Sequence, residues 1–77
     1  MTFEDLEIGD YFSFKEYSGA PIFKKINNDK NSREYNKVKS LGCLCIKSNS
    51  HMVGDRYWCP FDEKVYFLTN EEKAKLL

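Results

Sequence analysis

Residues 11–15 read Tyr11-Phe12-Ser13-Phe14-Lys15, which is an alternation of apolar and polar side chains. Phe12 and Phe14 fall on one face of such a segment, and the other three residues fall on the opposite face. Because successive side chains of a strand point to opposite faces, this alternation is typical of a half-buried strand. The stretch therefore predicts the first strand of a sheet, with two phenylalanine rings turned toward the core.

Four further segments have the composition of short strands and are separated by turn residues. They are residues 22–26, 41–47, 56–61 and 65–68. Thr69 followed by Glu72 matches a capping box, which predicts a short C-terminal helix at about 70–77. We predict an all-β protein in a single domain, residues 1–77, built as a small five-stranded barrel, since closure removes exposed sheet edges.

The core of this barrel is expected to consist of the apolar side chains on the inward faces of the strands. The predicted members are Leu6, Ile8, Phe12, Phe14, Ile26, Leu44, Ile46, Trp58, Val65 and Phe67. In this arrangement Cys43 and Cys45 lie on the opposite face of their strand. Tyr57 and Tyr66 are expected to be the exposed rings, one on each of the last two strands.

Two segments resemble a known group of proteins. Residues 6–14 have the form L-x-I-G-D-x-F-x-F, and residues 61–68 have the form F-x-x-x-V-x-x-L. This order resembles that of small uncharacterised bacterial and phage proteins with an SH3-like β-barrel. The resemblance implies an SH3-like fold and a phage or bacterial origin, and it implies no established activity.

Charge is balanced over the whole chain but uneven along it. The 77 residues hold 12 basic and 12 acidic side chains, yet the net charge is −4 in residues 1–16, +5 in 17–53 and −1 in 54–77. The acidic start is unlike a signal peptide, and no stretch approaches the roughly 20 apolar residues of a membrane span. We therefore expect a cytoplasmic protein that does not enter a membrane.

Two groups of side chains are candidates for binding a partner. The basic middle of the chain, with a polar loop at about 27–40, supplies charges that steer a partner, and the aromatic strands supply contact area. The candidates are Lys24, Lys25, Lys30, Arg33, Tyr35, Lys37, Lys39, Arg56, Tyr57 and Tyr66. They predict a small non-catalytic module, monomeric or weakly dimeric, that binds and modulates a larger protein partner.

The same basic residues leave a second interpretation open. Lysine and arginine side chains neutralise phosphates while aromatic rings stack on bases. Residues 24–39 combine both kinds of side chain, so the alternative is a nucleic-acid-binding barrel.

Metal binding and catalysis are the remaining classes of function to consider. Cys43, Cys45, His51 and Cys59 are spaced C-x-C-x5-H-x7-C, and four such ligands suit a tetrahedral zinc ion. Free cysteines are more often buried as small apolar side chains, which we favour. No nucleophile or phosphate-loop motif is present in the sequence. We therefore expect neither a cofactor nor an enzyme.

Overall fold

The computed structural model describes residues 1–16, 19–26, 42–49 and 53–77. Within these ranges the five strands form one antiparallel sheet in the order β4-β3-β2-β1-β5. No helix among the described residues has the length and hydropathy needed to cross a bilayer. In chain order the elements are a 3₁₀ helix (Phe3–Asp5), β1 (Tyr11–Ser13), β2 (Ile22–Lys25), β3 (Cys43–Lys47), β4 (Arg56–Tyr57), β5 (Tyr66–Phe67) and α1 (Asn70–Leu76).

The prediction of a β-rich protein with five strands and a short C-terminal helix is confirmed. Each strand is shorter than its alternating or apolar stretch, because pairing extends only as far as both neighbours run together. Among the described residues β4 and β5 are the ends of the strand order and do not pair with each other, so the sheet is open between them. The predicted polar loop at about 27–40 lies outside the described residues.

The N-terminal segment is joined to the chain just before β5. Thr2 and Lys64 form an isolated antiparallel bridge. Beside it the backbone N–H of Phe3 donates to the carbonyl of Glu63 at 2.9 Å. The first residues therefore act as a short additional partner for the segment that leads into β5.

The core is a chain of phenylalanine rings on one face of the sheet. Phe12 pairs in register with Phe23, and their ring centroids lie 5.9 Å apart. Phe3 from the 3₁₀ helix packs edge-on against Phe12 at 5.4 Å, and Phe14 packs edge-on against Phe23 at 5.0 Å. The other buried apolar side chains are Leu6, Ile22, Cys43, Cys45, Cys59, Val65 and Leu68.

The prediction of a core position is wrong for three residues. Ile8 is 62% exposed, Trp58 40% and Phe67 42%. Ile8 lies in the turn at Gly9, whose φ of +100° is a conformation that glycine adopts without strain. Trp58 lies between the inward-facing Tyr57 and Cys59, so alternation directs it outward. Phe67 belongs to an edge strand that has a neighbour on one side only.

The inward face of β3 is also the reverse of the prediction. Cys43 and Cys45 are buried in the core, whereas Leu44 and Ile46 are half-buried on the other face. The register explains this, because Cys45 pairs with the core residue Phe23. Of the remaining predicted core, Leu6, Phe12 and Val65 are buried, and Phe14 and Ile26 are half-buried.

A lysine side chain lies inside this core. Lys25 follows Phe23 by two residues on β2 and shares its face, and it is 0% exposed. Its ammonium group donates to the carbonyls of Phe3 at 2.8 Å and Leu6 at 2.7 Å. The same nitrogen lies 4.7 Å from the centroid of the Phe3 ring. Burial lowers the pKa of Lys25, while nearby Asp10 and other acidic groups oppose the shift.

We predict that Lys25→Met lowers the free energy of unfolding by roughly 1–3 kcal/mol, because the buried Leu6 carbonyl loses the ammonium donor and the Phe3 carbonyl keeps only the Leu6 N–H at 3.2 Å. Urea denaturation at neutral pH measures the change. Lys24→Met is the matched control: its ammonium lies 5.8 Å from the Tyr11 ring, and we expect a change below about 1 kcal/mol. A Lys25→Met protein as stable as the parent would contradict the prediction, since desolvation of the ammonium would then cancel its bonds.

Candidate functional site

A groove of about 710 Å³ runs between one end of the sheet and helix α1. We call it the α1 groove. Its apolar lining includes Ile22 on β2, Phe67 and Leu68 at β5, and Leu76 on α1. A concave site of this size with a mostly apolar lining is the usual form of a binding site for a small molecule or an inserted side chain.

Helix α1 forms one wall of the groove and is held at both of its ends. At its start the Glu72 N–H donates to the Thr69 hydroxyl at 3.2 Å, and the Thr69 N–H donates to the Glu72 carboxylate at 3.2 Å. At its end the Lys47 ammonium donates to the carbonyl of Leu76 at 2.5 Å. A helix of this length is marginal alone; the cap stabilises its first turn, and the Lys47 bond attaches its end to β3. The predicted capping box is confirmed.

The charges around the groove are mainly positive. Lys15, Lys47, Lys64 and Lys75 line it, together with the carboxylates of Glu16 and Glu72. Glu72 is engaged in the helix cap and Lys47 at the helix end. These hydrogen bonds are to uncharged groups and leave both charges in place, so four ammonium groups face two carboxylates and the lining carries a local excess of about two positive charges.

The backbone N–H and C=O groups of Phe67 point away from β1, the neighbouring strand of the sheet. The N–H of Leu68 donates to the carbonyl of Tyr11 at 2.9 Å, and Phe12 pairs with Phe67 in the next register position. Hydrogen-bonded and non-hydrogen-bonded pairs alternate along an antiparallel ladder. The N–H and C=O of Phe67 therefore point to the open edge of β5, and no hydrogen bond joins them to another described residue.

The predicted binding residues do not form one surface. Lys25 was expected to present its charge to a partner, and this is wrong because the side chain is buried against Phe3 and Leu6. Lys24 is half-buried beside Tyr11. Five others lie outside the described residues, so their binding role stays a prediction: Lys30, Arg33, Tyr35, Lys37 and Lys39.

The aromatic candidates lie at opposite ends of the strand order. Arg56 and Tyr57 form β4, whereas Tyr66 begins β5. Both tyrosines were expected to be exposed, and both are half-buried. The Tyr57 ring packs edge-on against Phe23 at 5.9 Å, and Tyr66 lines the α1 groove. Of the predicted binding residues that the structure describes, only Tyr66 lines the groove.

No local pattern in the sequence distinguishes the other groove residues. Residues 65–68 are four consecutive apolar side chains, so alternation could not show that Val65 and Leu68 are buried while Phe67 is exposed. The groove lysines are spread from Lys15 to Lys75, and no local pattern connects them. Only the position of α1 across the sheet end brings them together.

The three thiols are buried and free. The Cys43 thiol donates to the carbonyl of Tyr57 at 3.4 Å. Burial raises the pKa of Cys43 to about 11 and that of Cys59 to about 12, and it raises the pKa of Cys45 as well. All three are therefore protonated at neutral pH, in which form they are poor metal ligands and poor nucleophiles.

Among the described residues no group of three or more histidine, cysteine, aspartate and glutamate side chains is arranged to hold a metal ion. His51 lies outside these residues. The zinc alternative at Cys43, Cys45, His51 and Cys59 requires His51 and stays a prediction.

Comparison with protein-family models, curated proteins and solved structures found no match for this chain. The resemblance to SH3-like bacterial and phage proteins therefore stays a prediction.

We predict that the buried thiols make the protein lose stability at alkaline pH. An unfolded Cys59 ionises near its ordinary pKa of 9.0, whereas the folded thiol ionises only near 12. The stabilisation that comes from this raised pKa is complete below pH 9, and it is lost as the pH rises toward 12. Cys59→Ala should make the decline of unfolding free energy shallower by about 1 kcal/mol per pH unit above pH 9.

Urea denaturation in a reducing buffer at pH 8–11 measures these slopes. Val65→Ala is the control, because it also opens a cavity in the core but removes no titrating group. It should lower stability equally at every pH. Equal slopes in the parent and in Cys59→Ala would contradict the assignment of the alkaline loss to this thiol.

Proposed function

We propose that this protein is a small non-catalytic interaction module that binds a larger protein partner at the α1 groove. The observation that carries the proposal is an exposed aromatic residue, Phe67, among the lining residues of a concave, mostly apolar site. Exposed aromatic side chains in such positions are enriched among the residues that contribute most to binding. The proposed contact surface is therefore the α1 groove and not Tyr57 on β4, which does not line it.

The titratable groups of the described core, one ammonium and three thiols, support binding rather than catalysis. The Lys25 ammonium is engaged by two backbone carbonyls, and the three thiols are buried with raised pKa values. A nucleophile or general base must be accessible and must have a pKa suited to its task. None of these groups meets that requirement at neutral pH.

We further propose that the fold is an SH3-like barrel of phage or bacterial origin that works in the cytoplasm. The strand order supports the fold, because β1 lies between β2 and β5, and closure then needs only the approach of β4 toward β5. The sequence motifs at residues 6–14 and 61–68 support the origin.

The test is affinity capture from a lysate of the source organism, run in parallel with and without nuclease treatment, with the full chain as bait. We expect the parent to retain a protein partner, and we expect Phe67→Ser to reduce that partner at least fivefold. Ile8→Ser is the matched control: Ile8 is the more exposed side chain and does not line the groove.

Two results would contradict the proposal. Equal loss of the partner with Ile8→Ser and Phe67→Ser would show that the groove is not the contact surface. Loss of every partner on nuclease treatment would favour the nucleic-acid alternative. Circular dichroism melts of both variants confirm that they are folded before capture.

A further inference from the structure

The α1 groove has three properties that together define the chemistry of its occupant. Its floor is apolar, its lining is cationic, and the N–H and C=O of Phe67 on the outer edge of β5 pair with no other described residue. Two residues earlier on that edge the N–H of Val65 donates to the carbonyl of Met1 at 3.0 Å, so the open part of the edge is at Phe67. An occupant that satisfies all three needs an apolar side chain, negative charge and a backbone of its own.

The charge requirement comes from the lining. Four lysines line the groove against two carboxylates, those of Glu16 and Glu72, so the described lining carries a net charge of about +2. Complementary charge speeds association and selects the partner. An anionic occupant is therefore favoured over a cationic one.

The backbone requirement comes from β5. Phe67 presents its N–H and C=O to the open edge, as the ladder with β1 dictates. An extended peptide adds to such an edge through main-chain hydrogen bonds, and the pockets beside the edge select its alternate side chains. A free fatty acid or a simple anion satisfies the charge and lacks this backbone.

We infer that the α1 groove binds an acidic peptide segment in an extended conformation. The segment pairs with the backbone of Phe67, inserts an apolar side chain between β5 and α1, and places its carboxylates beside Lys64 and Lys75. This inference rests on the proposed function and names the chemistry of the partner that the groove selects.

The test uses fluorescein-labelled octapeptides and fluorescence anisotropy with the full chain. One probe alternates glutamate and valine, a second alternates lysine and valine, and a third alternates glutamate and serine. We expect the Glu/Val probe to bind at least tenfold more tightly than either of the others. Its affinity should fall with added salt, because exposed charges are screened.

Protein variants locate the site. Lys64→Glu should weaken the Glu/Val probe at least fivefold and should improve the Lys/Val probe. Arg56→Glu is the matched control, because it makes the same change of charge at an exposed residue outside the groove. We expect it to leave both affinities within twofold of the parent.

N-methylated probes test the backbone pairing. Two Glu/Val peptides are methylated on alternate amides, one on the odd and one on the even positions. Only alternate amides of an added strand point toward β5, so one of these peptides should lose at least tenfold in affinity and the other should retain it. Equal binding of the two would overturn the strand-addition geometry.

Other outcomes overturn the choice of occupant. Tighter binding of the Lys/Val probe removes the charge argument, and displacement of the Glu/Val probe by micromolar laurate or oligo(dT) assigns the groove to a different ligand. If no probe binds while Phe67→Ser still abolishes capture of a protein partner, the inference fails and the proposed function stands.

Discussion

The buried ammonium of Lys25 is the interaction on which the rest of the structure depends. It binds the carbonyls of Phe3 and Leu6 and thereby holds the 3₁₀ helix against β2. In a chain of 77 residues the core is small, so an unpaired charge inside it would be strongly destabilising. The two carbonyls and the Phe3 ring replace the water that the ammonium group loses.

This attachment has consequences beyond the 3₁₀ helix. With Phe3 fixed in the core, the first residues are placed to pair with the segment around Lys64, which leads directly into β5. β5 then pairs with β1 over two residue pairs, so its position depends on what precedes it as well as on its own ladder. The edge that lines the α1 groove is thus set by a chain of contacts that begins at Lys25.

The local sequence pattern predicted the positions of the strands and the helix well. It predicted less well which side chains of each strand face the core. The core position of Phe12 and the capping box at Thr69 each depend on neighbours in sequence, and both appear as predicted. Ser13, expected on the outward face of the same strand, is instead buried, with its hydroxyl donating to the carbonyl of Pro21 at 2.8 Å. The burial of Lys25 depends on carbonyls 22 and 19 residues away, which no local pattern contains. The inward face of β3 depends on register with Phe23, and a continuous apolar run does not specify register.

The candidate site was harder to predict than the fold for a related reason. A groove at the end of a sheet takes its lining from several elements, and Lys15, Lys64 and Lys75 become neighbours only after the chain has folded. Its exposed aromatic residue, Phe67, lies in an apolar run of the kind in which core phenylalanines also occur. Exposure at an edge strand, and not residue type, distinguishes the two.

The groove and the core also differ in what constrains them. The rings of Phe3, Phe12 and Phe23 contact one another directly, so a change in one disturbs the others. Helix α1 is bonded at its end to Lys47, and the groove residues Lys15, Lys64 and Lys75 are exposed and take no part in that packing. A small domain can therefore keep its folding determinants on one side of the sheet and its binding determinants at the end of it, so that binding residues can change with little effect on stability.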